Sequence, residues 1–193
     1  MAMRFSDVFP LTVSRYHEVA GAGSFCFAGI ACGLVHGPAM WFVEGWQGEA
    51  INPLGLLPYC NPHNLLIGKC GNAADLLAAT EEALRSGAVS IVVSEITRPL
   101  TLTAGRRLQL AAEAGGTTGL MIVPDGMGSN AAQTRWQAAP LYGEGDSTLM
   151  RWTIIKNKSG TLGSWNMRWD DETHRITVVS EVGLRTSLAA RAL

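Results

Sequence analysis

The amino-acid sequence predicts an α/β fold of three layers, in which a mostly parallel sheet is flanked by helices and gains antiparallel strands toward the C-terminus. Between residues 15 and 123, short continuous apolar runs alternate with segments of helical periodicity. Such runs are typical of strands buried on both faces, and their alternation with helices requires parallel pairing. After residue 124 the hydrophobic residues recur at every second position between short turns, which indicates antiparallel strands.

Glycine and proline residues divide the first third of the chain into short elements. Gly21-Ala22-Gly23 marks a tight turn, and Gly37-Pro38 ends the small-residue helix that follows it. Several glycines and prolines make the stretch from Glu44 to His63 irregular. The elements predicted here are a strand at 15–19, a helix at 24–34, a strand at 39–43 and a short helix near 54–59.

Helix signals are clearest in the middle of the chain. Asn72 is suited to cap a helix that runs to Ser86, Asp75 favours the first amides of this helix, and Gly87 ends it. Gly115-Gly116 ends a second helix in the same way. The elements predicted here are a strand at 64–69, the capped helix, a strand at 89–93, a helix at 103–114 and a strand at 119–123.

The last third of the chain alternates apolar and polar residues. Because no linker or internal repeat interrupts the chain, we expect a single domain over residues 1–180. Residues 181–193 are interpreted as a tail that is either a docking helix or without order. The strands predicted in this part lie at 134–138, 150–155, 165–169 and 174–179.

The charged residues are few and nearly balanced. They make up 16% of the 193 residues, hydrophobic residues make up 47%, and the net charge is −1. The protein therefore has no overall attraction for nucleic acid, and we expect both a deeply buried sheet and an apolar surface for a partner. No uncharged apolar run reaches the roughly 18 residues that span a bilayer, and the N-terminus lacks an apolar signal core. We expect a cytoplasmic protein without membrane contact.

A metal site is not expected. The four cysteines show no C-x-x-C spacing, and nothing near Cys60 and His63 completes a tetrahedral ligand set. The thiols are interpreted as buried or loop residues.

The turn at Gly21, Gly23 and Ser24 has the shape of a phosphate-binding loop without its chemistry. Such a loop needs a lysine for the phosphates and a hydroxyl for Mg²⁺, whereas this chain continues Phe25-Cys26-Phe27-Ala28. We therefore expect no cofactor and no ATP hydrolysis. Nucleotide binding through backbone amides remains the alternative to a turn that only lets helix and sheet pack closely.

Three carboxylates, Glu44, Glu95 and Asp125, follow predicted strands. Open α/β sheets place their sites at the carboxyl ends of strands, so these residues could form an acidic cluster there. No histidine or cation accompanies them in the sequence, and we interpret them as solvated strand ends.

Basic and aromatic residues supply the candidates for contacts with partners or DNA. A local basic patch would bind the phosphate backbone, although such residues are most often solvated or paired. Trp165 and Trp169 lie four apart, so they share one strand face, which is predicted to anchor a protein partner or to stack on single-stranded DNA. The basic candidates are Arg106, Arg107, Arg135, Lys156 and Lys158, with Arg151 a further member of the patch.

The order of these pieces resembles the RecA ATPase core and, within that family, the ImuA/SulA-like branch. The resemblance covers residues 15–180, and no single phrase decides it. It rests on the phrases at 17–21, 82–93, 106–113, 134–136, 154–158 and 169–174.

The resemblance implies a non-catalytic accessory protein of DNA-damage-inducible (SOS) mutagenic translesion synthesis. Its implied partners are an ImuB-type polymerase-like protein, a specialised replicative-class polymerase and RecA. Under this resemblance DNA would be bound only weakly, and the protein could form oligomers. Two alternatives follow from the same resemblance, a modulator of single-stranded DNA or RecA filaments and a SulA-like inhibitor of cell division. A residual nucleotide enzyme is the third.

Overall fold

A computed structural model describes residues 4–48, 51–143 and 148–183. In this part of the chain the strands are β1 (Tyr16–Ala20), β2 (Ala39–Glu44), β3 (Leu65–Cys70), β4 (Ile91–Glu95), β5 (Thr118–Ile122), β6 (Thr134–Pro140), β7 (Leu149–Asn157), β8 (Gly163–Asp170) and β9 (Arg175–Glu181). These nine strands form one sheet in the order β3-β2-β4-β5-β1-β6-β7-β8-β9. The strands from β3 to β6 in this order are parallel, and β7, β8 and β9 continue the sheet with antiparallel pairing.

Helices cover both faces of the sheet, so the predicted three-layer α/β fold is confirmed. The α-helices are α1 (Ser24–Gly33), α2 (Pro53–Leu56), α3 (Ala73–Ser86) and α4 (Leu102–Gly115). One hydrophobic core joins the sheet to α1 and contains Phe27 and Ile30, and the other joins it to α3 and α4 through Leu84 and Leu108. No described helix is both long and apolar enough to cross a membrane.

The helix ends follow the predicted capping. The Asn72 side chain accepts hydrogen bonds from the amides of Ala74 (2.9 Å) and Asp75 (3.0 Å), and Gly87 adopts a left-handed φ of 66°. These contacts satisfy amides that a helix start leaves without partners. Thr101, one residue before the described α4, caps that helix in the same way.

Most helices and strands begin or end a few residues away from the predicted positions. The strand predicted at 89–93 begins later, at Ile91, and the hydroxyl of Ser90 donates to the His36 carbonyl (2.7 Å) in the turn before β2. The short helix predicted near 54–59 is the single turn α2, which begins after the Asn52 cap. Most of the predicted tail, residues 184–193, lies outside the described residues, and β9 ends at Glu181.

An aromatic cluster fills the core on the α1 face. Phe9, from the segment before β1, lies 5.0 Å from the ring of Trp152 and 5.5 Å from that of Phe27. Phe5 covers Trp165 at 5.6 Å. The N-terminal segment therefore closes the face that the antiparallel strands present.

This packing corrects one prediction about the tryptophans. Trp165 and Trp169 share a strand face as expected, but their side chains are only 1% and 2% exposed, so the expectation of an exposed partner or DNA surface is wrong. The N-terminal segment covers Trp165, and the Trp169 indole donates to the Pro58 carbonyl (2.8 Å) beyond α2. Both side chains are core residues.

A buried histidine lies at the start of the sheet. His17 Nε2 lies 3.0 Å from the Thr12 carbonyl, which can only accept, so this nitrogen donates. His17 Nδ1 lies 2.7 Å from the Thr134 hydroxyl, and that hydroxyl oxygen accepts from the Trp136 indole (2.9 Å). With these partners the neutral His17 ring carries its proton on Nε2, and Nδ1 accepts from the Thr134 hydroxyl. Burial lowers the pKa of His17 from 6.5 to about 4.

The depressed pKa predicts a loss of stability in mild acid. His17 binds a proton near pH 6.5 in the unfolded chain but only near pH 4 in the folded chain. The contribution of the buried neutral His17 to the free energy of unfolding is therefore complete above pH 6.5, and it falls as the pH drops toward 4. Between pH 7.5 and 5 we expect the wild type to lose roughly 2 kcal/mol more unfolding free energy than His17→Gln. Urea unfolding of both proteins at the two pH values measures this, and equal losses would contradict the assignment.

Candidate functional site

Two adjoining cavities open where the parallel strands end. The first has a volume of about 660 Å³ and lies between α1, β2 and the segment around α2. The second, about 320 Å³, lies over the ends of β1, β4 and β5. Both are lined by Gln47 and Glu95, so we treat them as one strand-end cleft. Its lining also includes Gly21, Ser24, Phe25, Trp41, Ile51, Asn52, Leu56, Thr97 and Asp125.

The glycine-rich turn packs tightly on β6. Gly21 has a φ of +92°, and a Cβ at this position would come within 2.5 Å of the Ala138 carbonyl oxygen. The Gly23 amide donates to the same oxygen (2.9 Å), and the Ser24 amide donates to the Gly21 carbonyl (3.0 Å). These two amides, which a phosphate loop would direct at its ligand, already have partners inside the chain. The contacts favour the interpretation that the turn serves packing.

Aromatic rings occupy the first turn of α1 and the strand beside it. Phe25 is 48% exposed, and its ring stacks on that of Trp41 with 6.2 Å between centroids and 17° between planes. The cleft therefore has an apolar wall at its α1 side.

The three predicted carboxylates lie at this edge of the sheet, and each accepts a hydrogen bond from a neutral donor. Glu95 accepts from the Trp41 indole (2.8 Å), and Asp125 accepts from the Gln137 amide (2.9 Å). Glu44 is buried, and hydrogen bonds from Thr97 and from the Trp46 indole hold its pKa below its ordinary value. The interpretation of all three as solvated strand ends is therefore wrong for Glu44.

The described lining of the cleft contains the carboxylates Glu95 and Asp125 and no lysine or arginine. Within the described part of the chain, no group of three or more histidine, cysteine or acidic residues is arranged to hold a metal ion.

Two of the predicted basic residues are engaged inside the protein. The Arg135 guanidinium donates to Glu18 (2.6 Å) and to the Ser129 carbonyl (2.9 Å) and is 19% exposed. Lys156 donates to the Ala132 carbonyl, and burial lowers the pKa of this lysine. Both side chains hold the segment that joins β5 to β6 rather than forming an open basic surface.

The remaining basic candidates are exposed but are not brought together. Arg106 and Arg107 lie on α4, where Arg107 pairs with Glu81 at 2.7 Å. Lys158 follows β7, whose end pairs with the start of β6, so Lys158 lies at the opposite edge of the sheet from the cleft. Trp165 and Trp169 belong to the core on the other face from α4. The predicted set therefore does not form one surface.

A buried ion pair escaped the sequence analysis. The Glu18 carboxylate is fully buried and accepts from Arg135, from the Ser129 amide (2.8 Å) and from the Tyr16 hydroxyl. Burial, together with the charge of Glu18, raises the pKa of Tyr16. The pairing of β1 with β6, which sets Glu18 opposite Arg135, brings the two charges together.

An exposed aromatic residue was also missed as a candidate. Trp46 is 67% exposed just after β2, and its indole donates to Glu44 (2.6 Å). Its position among glycines, outside any alternating strand, is the signal that could have distinguished it from the core tryptophans. Trp46 precedes Gln47, which lines both cavities.

The comparisons with known proteins identify relatives over most of the chain. No family model matches it. Protein ImuA of Caulobacter vibrioides, in strains NA1000 / CB15N and ATCC 19089 / CB 15, is 31% identical over 182 residues. The matched region covers 86% of this chain and 71% of each relative. This identity over most of both proteins shows that the chain belongs to the ImuA family.

Proposed function

We propose that this protein is a non-catalytic accessory protein of DNA-damage-inducible mutagenic translesion synthesis and that it acts through protein–protein contacts. Membership of the ImuA family supports the role in mutagenesis. The observation that carries the non-catalytic part is the strand-end cleft, whose described lining has two carboxylates and no cation.

The charges of the cleft oppose nucleotide chemistry. Phosphoryl transfer is catalysed mainly by positioned cations around the phosphates. Here Phe25 follows the glycine-rich turn, and the Glu95 and Asp125 carboxylates lie beside it. The described lining offers a triphosphate no lysine or arginine, and the Gly23 amide already donates to the Ala138 carbonyl. We therefore propose that the protein does not hydrolyse ATP.

The surface offers groups suited to protein contacts. Trp46 and Phe25 are exposed at or beside the cleft, and tryptophan is among the residues that dominate binding energy at interfaces. The proposed partners are an ImuB-type polymerase-like protein and a specialised replicative-class polymerase. RecA is a third candidate.

Affinity capture from DNA-damaged cells tests this function. We expect the tagged full-length chain to recover an ImuB-type protein or a replicative-class polymerase after damage, as identified by mass spectrometry. Nuclease treatment should leave that recovery unchanged. Recovery of RecA alone, lost after nuclease treatment, would favour the filament modulator instead. Recovery of no polymerase and no RecA-family protein would contradict the proposal.

A further inference from the structure

We propose that residues 4–11 form a releasable cover, the N-terminal strap, which opens while the rest of the domain stays folded. The closed strap covers the buried rings of Trp152 and Trp165, and its release exposes them. The strap is a property of the fold, and its release does not depend on the proposed function. Three features support it: the contacts that hold the strap, an unsatisfied donor beneath it and a cavity at its C-terminal end.

The hydrogen bonds of the strap stay within the strap. The Arg4 amide donates to the Asp7 carboxylate (2.9 Å), and the Asp7 amide donates to the Arg4 carbonyl (3.0 Å). In the part of the chain that the structure describes, the first hydrogen bond from this end to another element lies beyond the strap, where His17 donates to the Thr12 carbonyl (3.0 Å). Opening the strap therefore breaks no described hydrogen bond to the sheet or to a helix.

Two phenylalanine rings attach the strap to the core. The Phe9 ring lies 5.0 Å from that of Trp152 and 6.2 Å from that of Trp136. The Phe5 ring lies 5.6 Å from that of Trp165. Burial of apolar side chains stabilises a structure in proportion to the apolar area removed from water. The closed strap therefore depends mainly on these two rings, and both leave the core when it opens.

A hydrogen-bond donor without a partner lies beneath the strap. The Trp152 indole Nε1 is buried, and among the described residues no acceptor bonds it. A buried donor that makes no hydrogen bond destabilises the state in which it is buried. The Phe5 and Phe9 rings both pack on the Trp152 ring, so release of the strap gives water access to this indole. The unsatisfied donor therefore favours opening.

The C-terminal end of the strap is incompletely packed. A cavity of about 310 Å³ lies between Pro10 and Leu11, the end of α1 and the starts of β4 and β5. Side chains that line a cavity lose the dispersion contacts that close packing provides. The strap is therefore held around Phe5 and Phe9 and only loosely where it leads into β1.

Native-state proteolysis of the full chain tests the strap. Thermolysin cuts before large apolar residues in unfolded segments, and mass spectrometry identifies the cuts between Phe5 and Leu11. When closing is faster than cleavage, the rate of these cuts follows the population of the open state. We expect them without urea, and we expect half the urea midpoint to speed them at most about fivefold, where unfolding of the whole domain would give more than about a hundredfold. No such cut, or a rate that rises as steeply as unfolding, would overturn the proposal.

Three substitutions separate release of the strap from unfolding of the whole domain. Phe9→Ala should speed the cuts in the strap at least about a hundredfold, because it removes a ring that holds the strap closed. Leu84→Ala opens the other core, against α3, so it should lower the stability of the domain and leave these cuts unchanged. Val13→Ala, at an exposed position just after the strap, should also leave them unchanged. Equal acceleration by Phe9→Ala and Leu84→Ala, or none by Phe9→Ala, would contradict a separate opening.

Discussion

Replacing Arg135 with alanine is expected to lower the free energy of unfolding by about 3–5 kcal/mol, because the change leaves the Glu18 charge buried without its partner. Glu18 is fully buried, and the Arg135 side chain is 19% exposed. The guanidinium also donates to the Ser129 carbonyl, so the segment between β5 and β6 loses a second contact. Urea unfolding followed by tryptophan fluorescence measures the loss.

A double variant and a control substitution at an exposed arginine show whether the loss is due to the buried Glu18 charge. Glu18→Gln combined with Arg135→Ala should be less destabilised than the sum of the single variants, because the buried charge is gone. Arg151→Ala is the matched control, since Arg151 is exposed on β7 and bonds Asn166 (2.9 Å); we expect a change within about 0.5 kcal/mol. A loss below about 1 kcal/mol for Arg135→Ala would contradict the role given to the pair.

Replacing Phe9 with alanine is expected to cost about 3–5 kcal/mol, since it leaves a cavity within the aromatic cluster. The Phe9 ring contacts Phe27, Trp136 and Trp152, and these side chains join the N-terminal segment to α1 and to the antiparallel strands. Thermal and urea unfolding give the stability. Near-ultraviolet circular dichroism should show weaker tryptophan signals, because the packing around the rings is lost.

The control for Phe9 lies in the same segment. Val13 is exposed, so Val13→Ala removes apolar atoms without opening the core, and we expect little change in stability. If Phe9→Ala were as stable as Val13→Ala, the packing of the N-terminal segment on the aromatic cluster would not stabilise the fold.

Most of the helices and strands could be predicted from short stretches of sequence. The Asn72 cap and Gly87 define α3 within the chain itself, and buried apolar runs define β2, β4 and β5. Such features depend on neighbours in the sequence, so they can be read without knowing the tertiary structure.

The burial of three candidate residues could not be predicted, because segments distant in the sequence cover or pair with them. Trp165 and Trp169 alternate as a half-exposed face would, but Phe5 and the residues beyond α2 cover them, and neither covering segment has a periodicity that reveals its position. Arg135 looked like a surface cation because its partner, Glu18, is 117 residues away in the sequence. The position of Glu44, Glu95 and Asp125 at one edge of the sheet could be predicted, because parallel strands place their carboxyl ends at the same edge.

The most direct test of the account is titration calorimetry of the full-length chain with ATP and Mg²⁺. If the protein acts through protein contacts and lacks the groups that hold a triphosphate, as we propose, no saturable heat is expected at millimolar nucleotide, with or without Mg²⁺. Saturable, magnesium-dependent binding that is weakened by substitution of Gly21 would contradict it.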